Sequence, residues 1–204
     1  MGLISNGSTI FDAGAMSAGF GSSMVFIKKL TASSSSTLSF VDGASGVVLD
    51  DTYKEYVFTY NNMHPQNNGA NFTFQTSTNG GSSYGVTNTS AGFVAYHAEN
   101  NSEVLFGYNG VADEAQSTNF QILAQEIANA NDSCCSGTLN IFNPSSTTFV
   151  KHWIARTNNC FTPPYSQEIH VAGYFNTTSD IDAIQFKMSS GNIDAGDICL
   201  YGIA

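Results

Sequence analysis

Charge is what this chain has least of. Charged residues make up 11% of its 204 positions, under half the share usual in a soluble domain, so Asn, Ser, Thr, Gln and Gly must carry the solvent-facing surface. Basic residues are scarcer still, six against sixteen acidic ones, for a net charge of −10. Holding nucleic acid takes a cationic patch that displaces condensed counterions, and six dispersed cations do not build one. Nucleic acid is thereby excluded as a partner, and an anionic membrane surface is disfavoured for the same reason. No run of about 20 apolar residues exists, so neither a transmembrane helix nor membrane insertion is expected. The opening MGLISNGSTIFDAG lacks the basic start and apolar core of a signal peptide. Scarce Glu, Lys and Arg also leave little intrinsic helix preference.

What the chain does have is strand periodicity. From Gly137 onward TLNIF, TTFVKHWIA, EIHVAGYF, IDAIQFKM and DICLYGI follow one another, separated by Gly, Pro, Asn or Ser clusters. In IDAIQFKM, Ile184, Phe186 and Met188 point to one face and Gln185 and Lys187 to the other. Earlier come MVFIKKL, TLSFV, KEYVFTYNNM, NFTFQTS, GFVAYHA and EVLFGY. In NFTFQTS, Phe72 and Phe74 share a face, and Asn79-Gly80 behind it is a favoured hairpin dipeptide. Residues 113–129 fit both periods: Phe120, Leu123 and Ile127 would share a helix face, Phe120, Ile122 and Ala124 a strand face. The all-β context favours the strand. The expected architecture is all-β, a single jelly-roll-like antiparallel β-sandwich of nine to eleven strands over residues 24–204. Residues 1–23, rich in Gly, Ser and Ala without a sustained period, read as an extended N-terminal arm or tether.

Chemistry-bearing patterns are sparse. Gly81-Ser82-Ser83-Tyr84-Gly85 matches the G-x-S-x-G nucleophile pattern, which works only on a strand-turn-helix elbow; here it follows a hairpin dipeptide, and a Gly/Ser-rich turn is the favoured reading. His64, His97, His152 and His170 are well separated. His152 alternates with Val150 and Ile154 and reads as a hydrogen-bonded core or seam residue. Asp42, Asp50 and Asp51 flank one Gly-rich loop and Asp194 and Asp197 another, an arrangement that can hold Ca²⁺ but matches no EF-hand spacing. Asp180, Asp182, Glu99 and Glu103 would be the acids of a glycosidase, yet no separation is set by sequence. Trp153, Tyr60, Tyr108, Tyr165 and Tyr174 read as core or subunit-interface aromatics, with sugar stacking as the alternative. Cys134, Cys135, Cys160 and Cys199 fit no zinc spacing. Small-hydrophobe packing is favoured for them, with a disulfide from the 134/135 pair to Cys160 as the alternative. No catalytic, cofactor-binding or metal-binding residue is assigned, and no cofactor is expected.

Five stretches resemble a known family: LISNGSTIFDAG near the start, LTASSSSTLSFVDG (Leu30 to Gly43), NPSSTTFVKHWIA (Asn143 to Ala155), AGYFNTTSDIDAIQFKMSSGNID (Ala172 to Asp194) and the closing LYGI. Together they are similar to small virion structural proteins of marine tailed bacteriophages, those of cyanobacteria in particular. The resemblance implies a non-enzymatic protein on the particle surface, a capsid decoration (cement) or fibre subunit. It further implies a homotrimer, with other virion proteins such as the major capsid or tail protein as partners and the virion as its location. The alternative it leaves open is a tail-fibre or receptor-binding module that recognises host surface glycans. No catalytic residue is carried over by the resemblance.

Overall fold

Alternation of inward and outward side chains organises most of the described strands. The computed structural model describes the backbone of residues 3–5, 8–12 and 15–16 and all of residues 23–162 and 164–204. Every regular element there is a β-strand, with no helix among the described residues. Three short strands, β1 (Leu3–Ser5), β2 (Ser8–Asp12) and β3 (Ala15–Met16), form an antiparallel sheet of their own. The remainder of the arm expected over residues 1–23 lies, Ser23 aside, outside the described residues.

Thirteen further strands pair antiparallel into two layers. The larger layer runs in the order β4 (Met24–Thr31), β16 (Ile193–Ile203), β6 (Glu55–Pro65), β12 (Cys135–Phe142), β13 (Lys151–Phe161), β14 (Tyr165–Phe175) and β8 (Asn88–Ala98). The far side of β8 is shared by β9 (Val104–Tyr108) and the short β10 (Glu114–Ser117). The smaller layer is β11 (Gln121–Ile127), β7 (Ala70–Ser77), β15 (Ala183–Met188) and β5 (Leu38–Val41). The layers join at one corner. The β12 ladder follows β13 as far as Asn159, and β11 then takes its place through Ile127 opposite Phe161. The Ala128 N–H donates to the Cys160 carbonyl (3.0 Å) and the Thr162 N–H to that of Glu126 (3.0 Å). The product is a nearly closed, barrel-like sandwich.

Its core lies between the layers and is aromatic. Phe40, Phe58, Tyr60, Phe72, Phe74, Trp153, Phe175 and Phe186 are fully buried, each worth roughly 1.5–3 kcal/mol over an exposed side chain. Rings from opposite layers meet edge to face, Phe40 on Phe58 at 5.3 Å and Phe74 on Trp153 at 5.2 Å, the arrangement their quadrupoles favour. The buried polar groups interlock. The Trp153 indole N–H donates to Asn88 Oδ1 (3.0 Å), and the Asn88 amide donates to Gln121 Oε1 (2.8 Å). That chain ties β13 and β8 to β11. Gly137 is required by the same packing, since a Cβ there would strike the Arg156 carbonyl and the Tyr60 ring.

The ambiguous stretch 113–129 is strand, as β10 and β11, but its inward set differs from the simple alternation. Gln121, Leu123 and Ala124 are all buried because the register shifts between Ile122 and Ala124. The sandwich has thirteen strands rather than nine to eleven. Irregular pairing divides 113–129 into two elements, one on each layer. His152 is corrected too. It is exposed, and Lys151, Trp153, Ala155, Thr157 and Asn159 are the inward residues of β13. The indole fixes that parity: it fills the core beside Phe74, so the imidazole on the next residue must face out.

Candidate functional site

The outward face of β13, β14, β8 and β9 is where the surface departs from a polar one. Directly opposed residues of an antiparallel pair share a face, which places Ile154 beside Ala172, Ala172 beside Ala91, and Phe93 beside Tyr108. Val104, Phe106 and Tyr108 are 69%, 76% and 67% exposed, and Ile154 and Phe93 53% and 42%. The small side chains of Ala91, Ala95 and Ala172 let the Phe93 and Phe106 rings, 5.5 Å apart, stand above a low surface. Beside them lies a shallow, open hollow of about 510 Å³ bordered by Ala91, Gly92, Phe93, Phe106 and Tyr108. A smaller one continues it to Ile154 and His170.

The backbone of β9 adds to this. Its bonds to β8 are framed by Ala98 N–H to Glu103 carbonyl (2.9 Å) and Asn109 N–H to Gly92 carbonyl (3.0 Å). Alternation then turns the N–H and C=O groups of Val104, Phe106 and Tyr108 away from β8. Among the described residues no strand covers that edge. Charge borders the face on two sides: at the β9 side the Tyr108 hydroxyl donates to Asp113 (2.8 Å), and an ionic cluster lies across β13 and β14. The Arg156 guanidinium and the His170 ring (2.9 Å) both donate to Glu168 Oε1. These bonds, that from Arg156 first, hold the Glu168 carboxyl below the usual range. His170 also stacks flat on Phe93 at 4.7 Å.

A second feature lies where the layers join. Phe161, Tyr165 and Tyr96 stack in parallel across three strands, at 5.8 and 5.3 Å. Glu103 receives the Tyr96 hydroxyl (2.9 Å) and the Tyr165 hydroxyl (3.1 Å), one on each oxygen, and raises both phenol pKa values. Beside the ladder is a cleft of about 640 Å³ lined by Phe161, Tyr165, Asn68, Asn129, Asp132 and Glu99, among others. Rings flanked by amides and carboxylates are the surface chemistry that a sugar's C–H and hydroxyl faces can meet.

The other residues singled out from sequence are dispersed. Trp153 and Tyr60 are core; Tyr108 lies on the apolar face and Tyr165 in the ladder, so the five aromatics form no common platform. Tyr174 packs beside His152. Asp42, Asp50, Asp51, Asp180 and Asp182 border one small cleft, while Glu99 borders the cleft at the joining corner. The two halves of the imagined glycosidase therefore stand in different clefts. Asp42 caps the Leu49 N–H (2.8 Å), and Asp50 caps that of Thr52 (2.8 Å); hydrogen bonding from the Thr52 side chain first, then from its N–H, holds the Asp50 carboxyl low. Asp197 pairs with Lys29 (2.8 Å), and Asp194 accepts from Ser34 (3.1 Å). No three His, Cys, Asp or Glu side chains among the described residues converge closely enough to hold a metal ion. Ser83 accepts from the Asn79 amide (2.8 Å) rather than facing a histidine, and no helix follows it. His64 bonds the Ser133 carbonyl (2.6 Å) and His97 bonds Asn101 (2.9 Å).

Sequence reasoning recognised EVLFGY as a strand but not that it is exposed. Apolar residues at consecutive positions are a pattern shared by strands buried on both faces, so they do not mark exposure; only the topology reveals an edge. Comparison with protein-family models, with curated proteins and with solved structures returns no match.

Proposed function

We propose that this chain is a non-enzymatic virion structural protein on the particle surface, a capsid decoration or fibre subunit that assembles as a homotrimer on a jelly-roll scaffold. The scaffold reading is supported by strand order. β4-β16-β6-β12 and β5-β15-β7-β11 are two four-stranded sheets in which the first strand lies beside the last and the second beside the next to last. That is the order of a jelly roll wound from two Greek keys, an architecture frequent in viral capsids. On this reading β13, β14, β8 and β9 widen one sheet and exist to present its outer face.

The observation that carries the reading is that face. Its five exposed apolar side chains offer on the order of 500 Å². Interfaces are about 60% apolar, so this is the apolar share of a patch near the roughly 800 Å² per partner of a standard interface. The occupant is a second copy of this chain, and the free edge of β9 offers backbone bonds alongside the apolar contact. The resemblance to phage virion proteins expected from LTASSSSTLSFVDG, NPSSTTFVKHWIA and the closing stretches points the same way. Multi-angle light scattering of the purified chain at micromolar concentration tests it, and three times the 21.7 kDa chain mass is expected. A strict monomer overturns the reading. A dimer keeps self-association and overturns the trimer.

A second reading, a tail-fibre or receptor-binding module that recognises host glycans, is favoured by the Phe161–Tyr165–Tyr96 ladder beside its cleft. Saccharide titration followed by NMR at those three rings tests it, and unmoved ring signals across neutral and acidic sugars would remove it.

A further inference from the structure

The joining corner also brings two of the four free cysteines together. Cys135 is opposite Asn159 in the β12–β13 ladder, so Cys134 is opposite Cys160, whose N–H donates to the Cys134 carbonyl (3.1 Å). Opposed residues share a face. Cys160 is exposed on the outward side of β13 and Cys134 is half-buried beside it, whereas Cys135 points into the core and is 1% exposed. Cys199, in β16, is separated from β13 by β6 and β12. A hydrogen-bonded antiparallel pair holds its Cα atoms about 5.5 Å apart, well inside the span a disulfide bridges. The Cys134 thiol turns toward Asn62 Oδ1, 3.8 Å away, so bond formation requires its χ1 to rotate toward Cys160.

We propose that Cys134 and Cys160 are a disulfide-forming pair, oxidised by a small-molecule disulfide such as oxidised glutathione. The exposed Cys160 thiolate attacks one sulfur of the oxidant, forming a mixed disulfide and releasing one thiolate. The Cys134 thiolate then attacks the Cys160 sulfur, expelling the second. Two protein thiols lose two electrons and two protons, and one molecule of oxidant becomes two thiols. Cys160 and the 128–133 segment line the cleft at this corner, so the bond fastens that wall to β13 where β12 gives way to β11. This inference does not rest on the virion reading.

The test equilibrates the full chain in a glutathione redox buffer, alkylates free thiols under denaturing conditions and measures intact mass and linked peptides. The expected product has lost two hydrogens, retains alkylated Cys135 and Cys199, and melts about 5–10 °C higher than the reduced form. Cys134→Ser and Cys160→Ser each abolish the mass loss, and Cys135→Ala retains it. If Cys135→Ala does not fold, fragmentation of the linked wild-type peptide distinguishes position 134 from 135. Linkage through Cys135 or Cys199, four thiols still free, or glutathione retained on Cys160 would each overturn the proposal.

Discussion

At the scale of single residues, Lys151 shows what alternation costs when it meets a fixed core. The Trp153 indole sets the parity of β13, and that parity carries Lys151 inward, where its ammonium is fully buried and donates to the Thr177 carbonyl (3.1 Å). Loss of hydration lowers its pKa below the ordinary lysine value, a shift that the Asp180 charge opposes. Because the folded value lies below the unfolded one, folding carries a penalty that is complete below the folded value. The penalty is relieved as pH rises through the folded value toward 10.5. Lys151→Met keeps the length of the stem and removes the charge, so it should stabilise the fold by about 1 kcal/mol at pH 7. The advantage should shrink by pH 10. Urea denaturation of both proteins across that range measures the difference, in which titrations common to both cancel. A constant or growing advantage would contradict the desolvation account.

At the scale of elements, the sequence was legible wherever one face of a strand is buried and the other wet. Ile184, Phe186 and Met188 point inward as their spacing says, with Gln185 and Lys187 half-exposed. Thr73 and Gln75, the polar face of β7, are also buried: Gln75 donates to the Thr118 (3.1 Å) and Asn119 (2.7 Å) carbonyls of a loop, and the Thr73 hydroxyl donates to the Lys187 carbonyl of β15 (2.9 Å). Covering of that kind depends on chain segments far apart in sequence and leaves no local mark. Strand β9 is the reverse case, apolar at nearly every position yet exposed. The candidate face was therefore hidden from sequence: its members come from four strands brought together by pairing, and period two says which side chains agree, not which side is covered. A charge on this element tests what it does. Phe106 is largely in solvent in the isolated chain, so Phe106→Glu should change fold stability by no more than about 0.5 kcal/mol. In an assembly it would bury an unpaired carboxylate and weaken self-association at least tenfold, or about 1.4 kcal/mol. Sedimentation velocity reads the association and thermal melting the fold; unchanged sedimentation would move the interface elsewhere.

At the scale of the whole molecule, net charge and apolar face act against each other. Each copy carries −10, so copies repel, and the repulsion reaches about 30 Å at 0.01 M salt but only about 8 Å at 0.15 M. The face is apolar at its centre, with the Arg156–Glu168–His170 cluster and the Asp113 carboxylate beside Tyr108 as its ionic neighbours, and exposed charges of that kind contribute little to a contact. Raising sodium chloride from 0.01 to 0.15 M should therefore tighten assembly, by about three- to tenfold in dissociation constant, as like charges are screened. Sodium sulfate at equal ionic strength should tighten it further, because its exclusion from protein surface strengthens apolar burial. Sedimentation equilibrium along the two salt series separates these effects. A contact built on ion pairs would loosen along both. That outcome would shift the interface from β9 and its neighbours to the acidic surfaces around Asp42, Asp50, Asp51, Asp180 and Asp182, which would then need a cationic partner that this chain, with six basic residues, is poorly equipped to supply to itself.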